Sequence, residues 1–236
     1  KADPYTVENM EYNAKRDEYT CQGGRKLMFR RKSEKVTENG ALVSDTSNLR
    51  SWVPMHTGTP GKFSWYRGHF EGNGHTISGL KLIDTKGKYV GLFPLINAGA
   101  VIKNLVIKDA EIVVEAKEGN TVYAGILCGA NTEGLTGGGL GKIMDVRIED
   151  SSITIKGGAG TTYLGGIVGY TDSRSDNNND RALQRATVKN CVIKNERAGS
   201  DNAVGGVIGH HKGAGGWAML RVVSYDNTIS TVDGYS

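Results

Sequence analysis

Proline and cysteine are scarce in this 236-residue chain, with 4 and 3 copies. So few prolines exclude a collagen-like rod or a proline-rich spacer. The cysteines, Cys21, Cys128 and Cys191, are odd in number and far apart, which is neither a disulfide framework nor a metal-ligand pattern. No run of 18 apolar residues occurs, so no membrane-spanning helix is encoded. The HExxH signature of zinc proteases is missing, and Gly137-Gly138-Gly139 lacks the Lys-Ser/Thr of a phosphate loop. These gaps leave no cofactor and no metal to expect.

Glycine is abundant instead. Its 34 copies are about twice the usual share, so the chain must turn often or bring backbones close together. Hydrophobic content is 38%, much of it Val and Ile, which favours strands over helices. The net charge of +4 is mildly basic and does not demand an anionic partner. Beginning at Lys1 rather than Met, the chain reads as a mature or trimmed product.

Residues 1–66 are charged and irregular, with a basic stretch from Arg25 to Lys32. No aromatic-rich module accompanies that stretch, so it reads as charged surface and no nucleic-acid partner is expected. Residues 67–236 are periodic. A strand-like segment recurs as Ile77-SGLKLI-Asp84, Ile102-KNLVIK-Asp109, Ile143-MDVRIE-Asp150, Val188-KNCVIK-Asn195 and, more loosely, Leu220-RVVSYD-Asn227. Its first, fourth and sixth positions are apolar or aromatic and its eighth is Asp or Asn. Positions four and six share one strand face, and an Asp or Asn suits a corner because both tolerate left-handed backbone. Cys191 takes a slot filled elsewhere by Leu or Val and reads as a small core residue.

A second, Gly-rich segment alternates with the first: Tyr89-VGL-Phe93, Tyr123-AGILC-Gly129, Tyr163-LGGIV-Gly169 and Ala203-VGGVI-Gly209. Gly125, Gly165 and Gly205 stand 40 residues apart. A sandwich of hairpins would show turn signals every 8–12 residues or so; the longer period favours stacked coils, which bury a face that one strand cannot bury alone. The expected fold is all-β: a right-handed parallel β-helix or β-solenoid of about five coils, about 24 Å long at strand spacing. Residues 1–66 are expected to cap one end of it, since an open sheet edge invites aggregation.

The segment Phe70-EGNGHTISG-Leu80 resembles the opening F-D-G-N-G-H-T-I-S-G-L of GLUG-motif repeat proteins. Tyr89-VGL-Phe93 with Ile102-KN-Leu105, Tyr163-LGGIVG-Tyr170 and the upstream Trp52-VP-Met55 resemble further parts of that pattern. Glu71 replaces the usual Asp, and the last copy lacks the Tyr before its Gly pair. The resemblance implies an extracellular bacterial surface protein with stacked β-coils, as found in adhesins and beside the catalytic part of IgA-specific metalloproteases.

No residue stands out as catalytic. His75 belongs to the opening motif and reads as structural. His210 and His211 are adjacent, so on a strand they point apart and make a poor metal pair. Asp172, Asp176 and Asp180 lack the spacing of a calcium loop, and the loop reads as solvated. The copies differ most in 130–142, 170–187 and 210–219, which a stacked architecture gathers on one edge, and insertions on one edge mark a binding face. Asn131, Asp172, Arg174, His211 and Trp217 are therefore the candidate ligand-binding residues, with an exposed Trp suited to a sugar ring. The expected function is a non-catalytic surface adhesin or interaction module for a host or matrix glycan or protein. A polysaccharide lyase or hydrolase on a β-helix and a structural stalk are the alternatives.

Overall fold

The computed structural model describes residues 11–13, 18–20, 26–28, 33–36, 42–45, 65–85, 87–133, 139–173, 182–213 and 219–232. The chain divides into two compact units, Lys1–Arg50 and Ser51–Ser236. In the first, Glu11–Asn13, Glu18–Thr20 and Lys26–Met28 form an antiparallel sheet, and Ser33–Val36 pairs with Leu42–Asp45. The described residues contain strands, turns and bends but no helix, so none is long and apolar enough to cross a membrane.

The second unit is built from four parallel sheets that the chain visits in a fixed order. The first sheet holds His69–Glu71, Thr76–Ser78, Val101–Lys108, Lys142–Glu149, Leu183–Gln184, Thr187–Lys189, Met219–Leu220 and Val223–Tyr225. The second holds Lys81–Thr85, Glu111–Ala116, Ser152–Gly157, Val192–Asn195 and Thr228–Thr231. The third holds Tyr89–Val90, Val122–Gly125, Thr162–Gly165 and Ala203–Gly205. The fourth holds Phe93–Asn97, Cys128–Thr132, Val168–Ser173 and Ile208–Gly213. The unit is thus all-β with parallel strands in stacked sheets, an arrangement consistent with a β-helix.

Like residues stack on like. Leu82, Ile112, Ile153, Ile193 and Ile229 form one column of the second sheet. Ile77, Ile107, Ile148 and Val188 form one in the first. Most of these side chains are fully buried and belong to one core that includes Cys128 and Cys191. Burial lapses in the final strands: Ile229 is 38% exposed where Ile193 is 0%.

Two columns of left-handed residues shape the first sheet. Asn104, Asp145, Arg185 and Arg221, with φ between 48° and 54°, bend the sheet midway. Asp109, Asp150, Asn190 and Asp226, with φ between 50° and 57°, turn the chain toward the second sheet. Their side chains bond across to the next strand. Arg185 grips Asp145 through two 2.7 Å bonds, and Asn190 donates to Asp150 at 2.8 Å while Lys108 pairs with Asp150 at 3.0 Å. Asn104 donates to Glu71 at 2.7 Å, and the Asn73 N–H does so at 3.0 Å. Burial opposes ionisation of Glu71, yet these bonds and the nearby Lys103 outweigh it and hold the carboxyl below its ordinary range. The Glu that replaces the expected Asp is therefore the clamp of the opening motif.

These columns correct the sequence-derived repeat register. Only the copies starting at Ile102 and Ile143 are opposite each other. Ile77 is opposite Ile107 and Val188 is opposite Ile148, so those copies are displaced by five residues. The two left-handed columns lie five residues apart, as Asn104 and Asp109 show, so such a slip lays one corner on the other and preserves the apolar pattern. Asn190 matches Asn104 in sequence but stands in the column of Asp109. The copy at Leu220 slips by one residue, since Leu220 is opposite Gln184 and hence one place beyond the column of Ile143 and Leu183. A one-residue slip exchanges faces, and Val223 and Tyr225, expected inside, are 52% and 43% exposed. The corners are not uniformly at the expected eighth position: Asn195 is a buried strand residue bonded to Arg197 O and Thr231.

The third and fourth sheets approach backbone to backbone. A Cβ added at Gly125, Gly129, Gly165, Gly169, Gly205 or Gly209 would fall within 3 Å of main-chain atoms of a neighbouring strand. Gly169→Ala should therefore lose about 3 kcal/mol, the upper end for forced overpacking. Gly119→Ala has open space around it and only its φ of 74° to strain, so it should lose about 1 kcal/mol. Urea unfolding of the two variants checks the order.

Candidate functional site

Where the third and fourth sheets touch, their aromatic side chains form one cluster. Tyr89, Tyr123 and Tyr163 are opposite one another along the third sheet. Their ring centroids are 5.1 and 5.5 Å apart, close to the spacing of the strands that carry them. Tyr170 of the fourth sheet packs 5.0 Å from Tyr123 and 5.5 Å from Tyr163. The third column ends in Ala203, and His210 fills the place of the missing ring, 4.7 Å from Tyr163 and parallel to Tyr170 within 4°. All five rings are partly exposed.

Charged groups border the rings. Lys88 Nζ lies 5.5 Å from the centroids of both Tyr89 and Tyr123, a cation–π arrangement. At the other end the Tyr163 hydroxyl donates to Asp201 at 2.8 Å and that of Tyr170 to Asp172 at 3.4 Å. Burial, then the Asp201 hydrogen bond and charge, push the Tyr163 phenol up to about 12. Burial and Asp172 push Tyr170 up as well. Burial also raises Tyr123, with both Asp172 and Asp201 adding to it, so the two carboxylates act on one ring.

Four residues before Asp201 in the chain lies a buried cation. Arg197 is 0% exposed and its guanidinium donates to the carbonyls of Gly158, Thr161, Lys117 and Asn120 and to the Thr162 hydroxyl, at 2.7–3.3 Å. Its own carbonyl accepts from Asn202, which in turn accepts from the Thr162 N–H at 2.8 Å. Arg197 thus ties three successive passages of the chain together. Burial lowers its pKa, but an arginine stays charged at neutral pH. It resembles an ordinary charged residue in sequence, and no periodicity marked it.

The candidate residues fare differently. Asn131 is 1% exposed, and its amide both donates to and accepts from the Gly141 backbone at 2.8 Å. Both its amide atoms are thus engaged with the Gly141 backbone. Asp172 and His211 lie on adjacent fourth-sheet strands beside the cluster, though not opposite each other: Asp172 is opposite Lys212, and His211 is opposite Thr171. His211 Nδ1 shares a 2.6 Å hydrogen bond with Thr171 Oγ1. Partial burial, then His210, lower its pKa. Arg174, Trp217, Asp176, Asp180 and most of the basic stretch lie outside the described residues. His75 is exposed and its main chain closes the turn onto Gly72. Burial raises the thiol pKa of both Cys128 and Cys191. Among the described residues no three His, Cys, Asp or Glu gather as a metal would need.

The sequence points to the irregular connections, where the Tyr before each Gly segment reads only as a repeat mark. The recurrence of Tyr89, Tyr123 and Tyr163 was the available signal. Asp201 carried none.

Two outcomes follow from these contacts. Arg197→Met leaves buried carbonyls without a donor and should lose about 3 kcal/mol or more, measured by urea unfolding. A carboxylate disfavours a nearby phenolate, so Asp201→Asn should bring the Tyr163 ionisation down from about 12. Ultraviolet titration of phenolate, with Tyr163→Phe identifying the transition, checks the direction.

No known family profile and no solved structure matches the chain. It is 36% identical over 84 residues to a protein of Evansella cellulosilytica described as "Putative Gly-rich membrane protein". That match covers 36% of this chain and 8% of the relative.

Proposed function

We propose that the chain is a non-catalytic interaction module of a bacterial cell surface, adhesin-like, which binds a host or matrix glycan or protein. In this reading the stacked parallel sheets are a right-handed β-solenoid of about five coils related to GLUG-repeat proteins. One observation carries the proposal. The irregular stretches 130–142, 170–187 and 210–219 all lead from the end of a fourth-sheet strand into the first sheet. Their described ends therefore lie at one junction of the stack, as the ends of recognition loops on a scaffold do.

The pairing offsets support the same reading. Ala110 bonds Ser151 41 residues on, Thr162 bonds Asn202 40 residues on, and Cys191 bonds Asn227 36 residues on. The reduction to 36 arises between Ile208–Gly213 and Met219–Leu220, within that edge. The largest change in pairing offset, between Leu95 with Ala130 and Val101 with Lys142, falls in the same fourth-to-first-sheet connection.

The test is a glycan and matrix-protein array probed with the chain and with Arg174→Ala/Trp217→Ala. The expected result is binding that the double variant loses at least tenfold, about 1.4 kcal/mol, with an unchanged melting temperature. Equal binding by both proteins overturns the assignment of the edge, and release of reducing sugar from a bound glycan overturns the non-catalytic reading.

A further inference from the structure

We propose that the cluster of Tyr123, Tyr163 and Tyr170 with Asp172 and Asp201 binds an organic ammonium group, the side chain of a lysine on a partner protein. The inference deepens the interaction-module reading by naming the chemistry of a partner, and it rests on that reading only for the partner's being a protein.

Three observations lead to an ammonium rather than to a neutral sugar. The first is ring geometry. A sugar stacks on the flat face of an aromatic ring, but Tyr123 has Tyr89 against it at 5.1 Å with planes 18° apart, and Tyr163 and Tyr170 close around it. These neighbours restrict the flat area that a sugar ring would need. A compact ammonium needs less ring face and, with centroids 5.0–5.5 Å apart, can lie within cation–π reach of two adjoining rings.

The second is an occupant of the same chemistry. The Lys88 ammonium already sits equally close to Tyr89 and Tyr123. The chain thus shows that adjacent rings of this column accept a primary ammonium. Lys88 precedes Tyr89, whereas Val122 and Thr162, at the same place before Tyr123 and Tyr163, are buried and uncharged. The later rings carry no such lysine of their own.

The third is charge. Asp201 and Asp172 stand at the Tyr163 and Tyr170 end, each using one oxygen to accept a tyrosine hydroxyl. A carboxylate has further lone pairs to offer. Lys212, opposite Asp172 on the next strand, is exposed and makes no ion pair with it among the described residues. Rings with carboxylates at their hydroxyl tips offer an ammonium both an aromatic surface and negative charge. The Tyr163 hydroxyl holds one Asp201 oxygen, and Asn202, next to Asp201 in the chain, is fixed by the Thr162 N–H and the Arg197 carbonyl, which lessens the ordering that a ligand must impose.

The probe is Nα-acetyl-lysine methylamide, titrated into the protein while the tyrosine ring carbons and protons are followed by NMR. Tetramethylammonium and the neutral Nζ-acetylated probe are titrated in parallel. The expected result is saturable shifts at Tyr123, Tyr163 and Tyr170 with the lysine probe and none with its neutral counterpart. Tetramethylammonium binding as tightly as lysine would assign the site to quaternary ammonium compounds and overturn the lysine partner. Asp172→Asn/Asp201→Asn should weaken the lysine probe at least fivefold, and Lys88→Gln, which removes the internal competitor, should strengthen it about twofold. Raising salt from about 20 to 200 mM should weaken it further, since partly exposed charges are screened. Shifts that the neutral probe reproduces, or that the double Asn variant leaves intact, overturn the site. The Arg174→Ala/Trp217→Ala variant keeps these shifts if the cluster is an independent ammonium site, so a silent array with retained lysine binding sinks the edge alone, and the reverse outcome sinks the cluster alone.

Discussion

The contact of glycine with backbone between the third and fourth sheets governs much of the rest. Gly129 and Gly169 lie against the main chain of third-sheet strands with no room for a methyl group. Two strands that share no core side chain at that point can come this close only without Cβ atoms. The approach sets the distance between the column of Tyr89, Tyr123 and Tyr163 and the rings of Tyr170 and His210. Larger residues at the contact would part the layers and dissolve the cluster. Glycines such as Gly129 and Gly169 serve this close approach, while others, such as Gly74, Gly79 and Gly119, take positive φ in turns, as the Asx and Arg corners of the first sheet do.

Much of the fold was legible in the sequence, because alternation on a strand face and a recurring Gly segment are both local signals. Parallel pairing of the Gly segments followed directly: Tyr123, Tyr163 and Ala203, at equal successive spacing, are in register as read. The first-sheet register was not legible in full. Two corners five residues apart give the chain two nearly equivalent ways to superimpose, and only the surrounding sheets decide between them. Ile77 and Val188 show the five-residue ambiguity and Leu220 the one-residue ambiguity.

The candidate site was less legible, for a different reason. Asp172 and His211 lie beside the cluster and were named for their position near variable loops. Asn131 was named on the same ground, yet it stands in the column of Ile96 and Thr171 and is buried with them. A polar residue in a loop-flanking position can serve the loop's own closure, as Asn131 does for Gly141. Arg197 and Asp201 belong to neither repeat. Their roles exist only where Lys117, Gly158 and Arg197 are brought together from separate passages of the chain, and no stretch of sequence holds all three.

The stepwise loss of burial toward Thr228–Thr231 has a mechanical consequence. Strands at that end have a partner on one side, and their apolar residues, such as Ile229, are partly open to water. In a stack where each layer rests on its neighbour, pulling from that end would peel the outermost layer first, because it has the fewest contacts to break. A layer of about 40 residues contributes only about 4.8 Å to the height of the stack, yet fully drawn out it spans roughly 130 Å. Such a molecule under load would lengthen in large, separate steps, and the layer that carries Arg197 and His210 would be the second to leave, taking one end of the ring cluster with it.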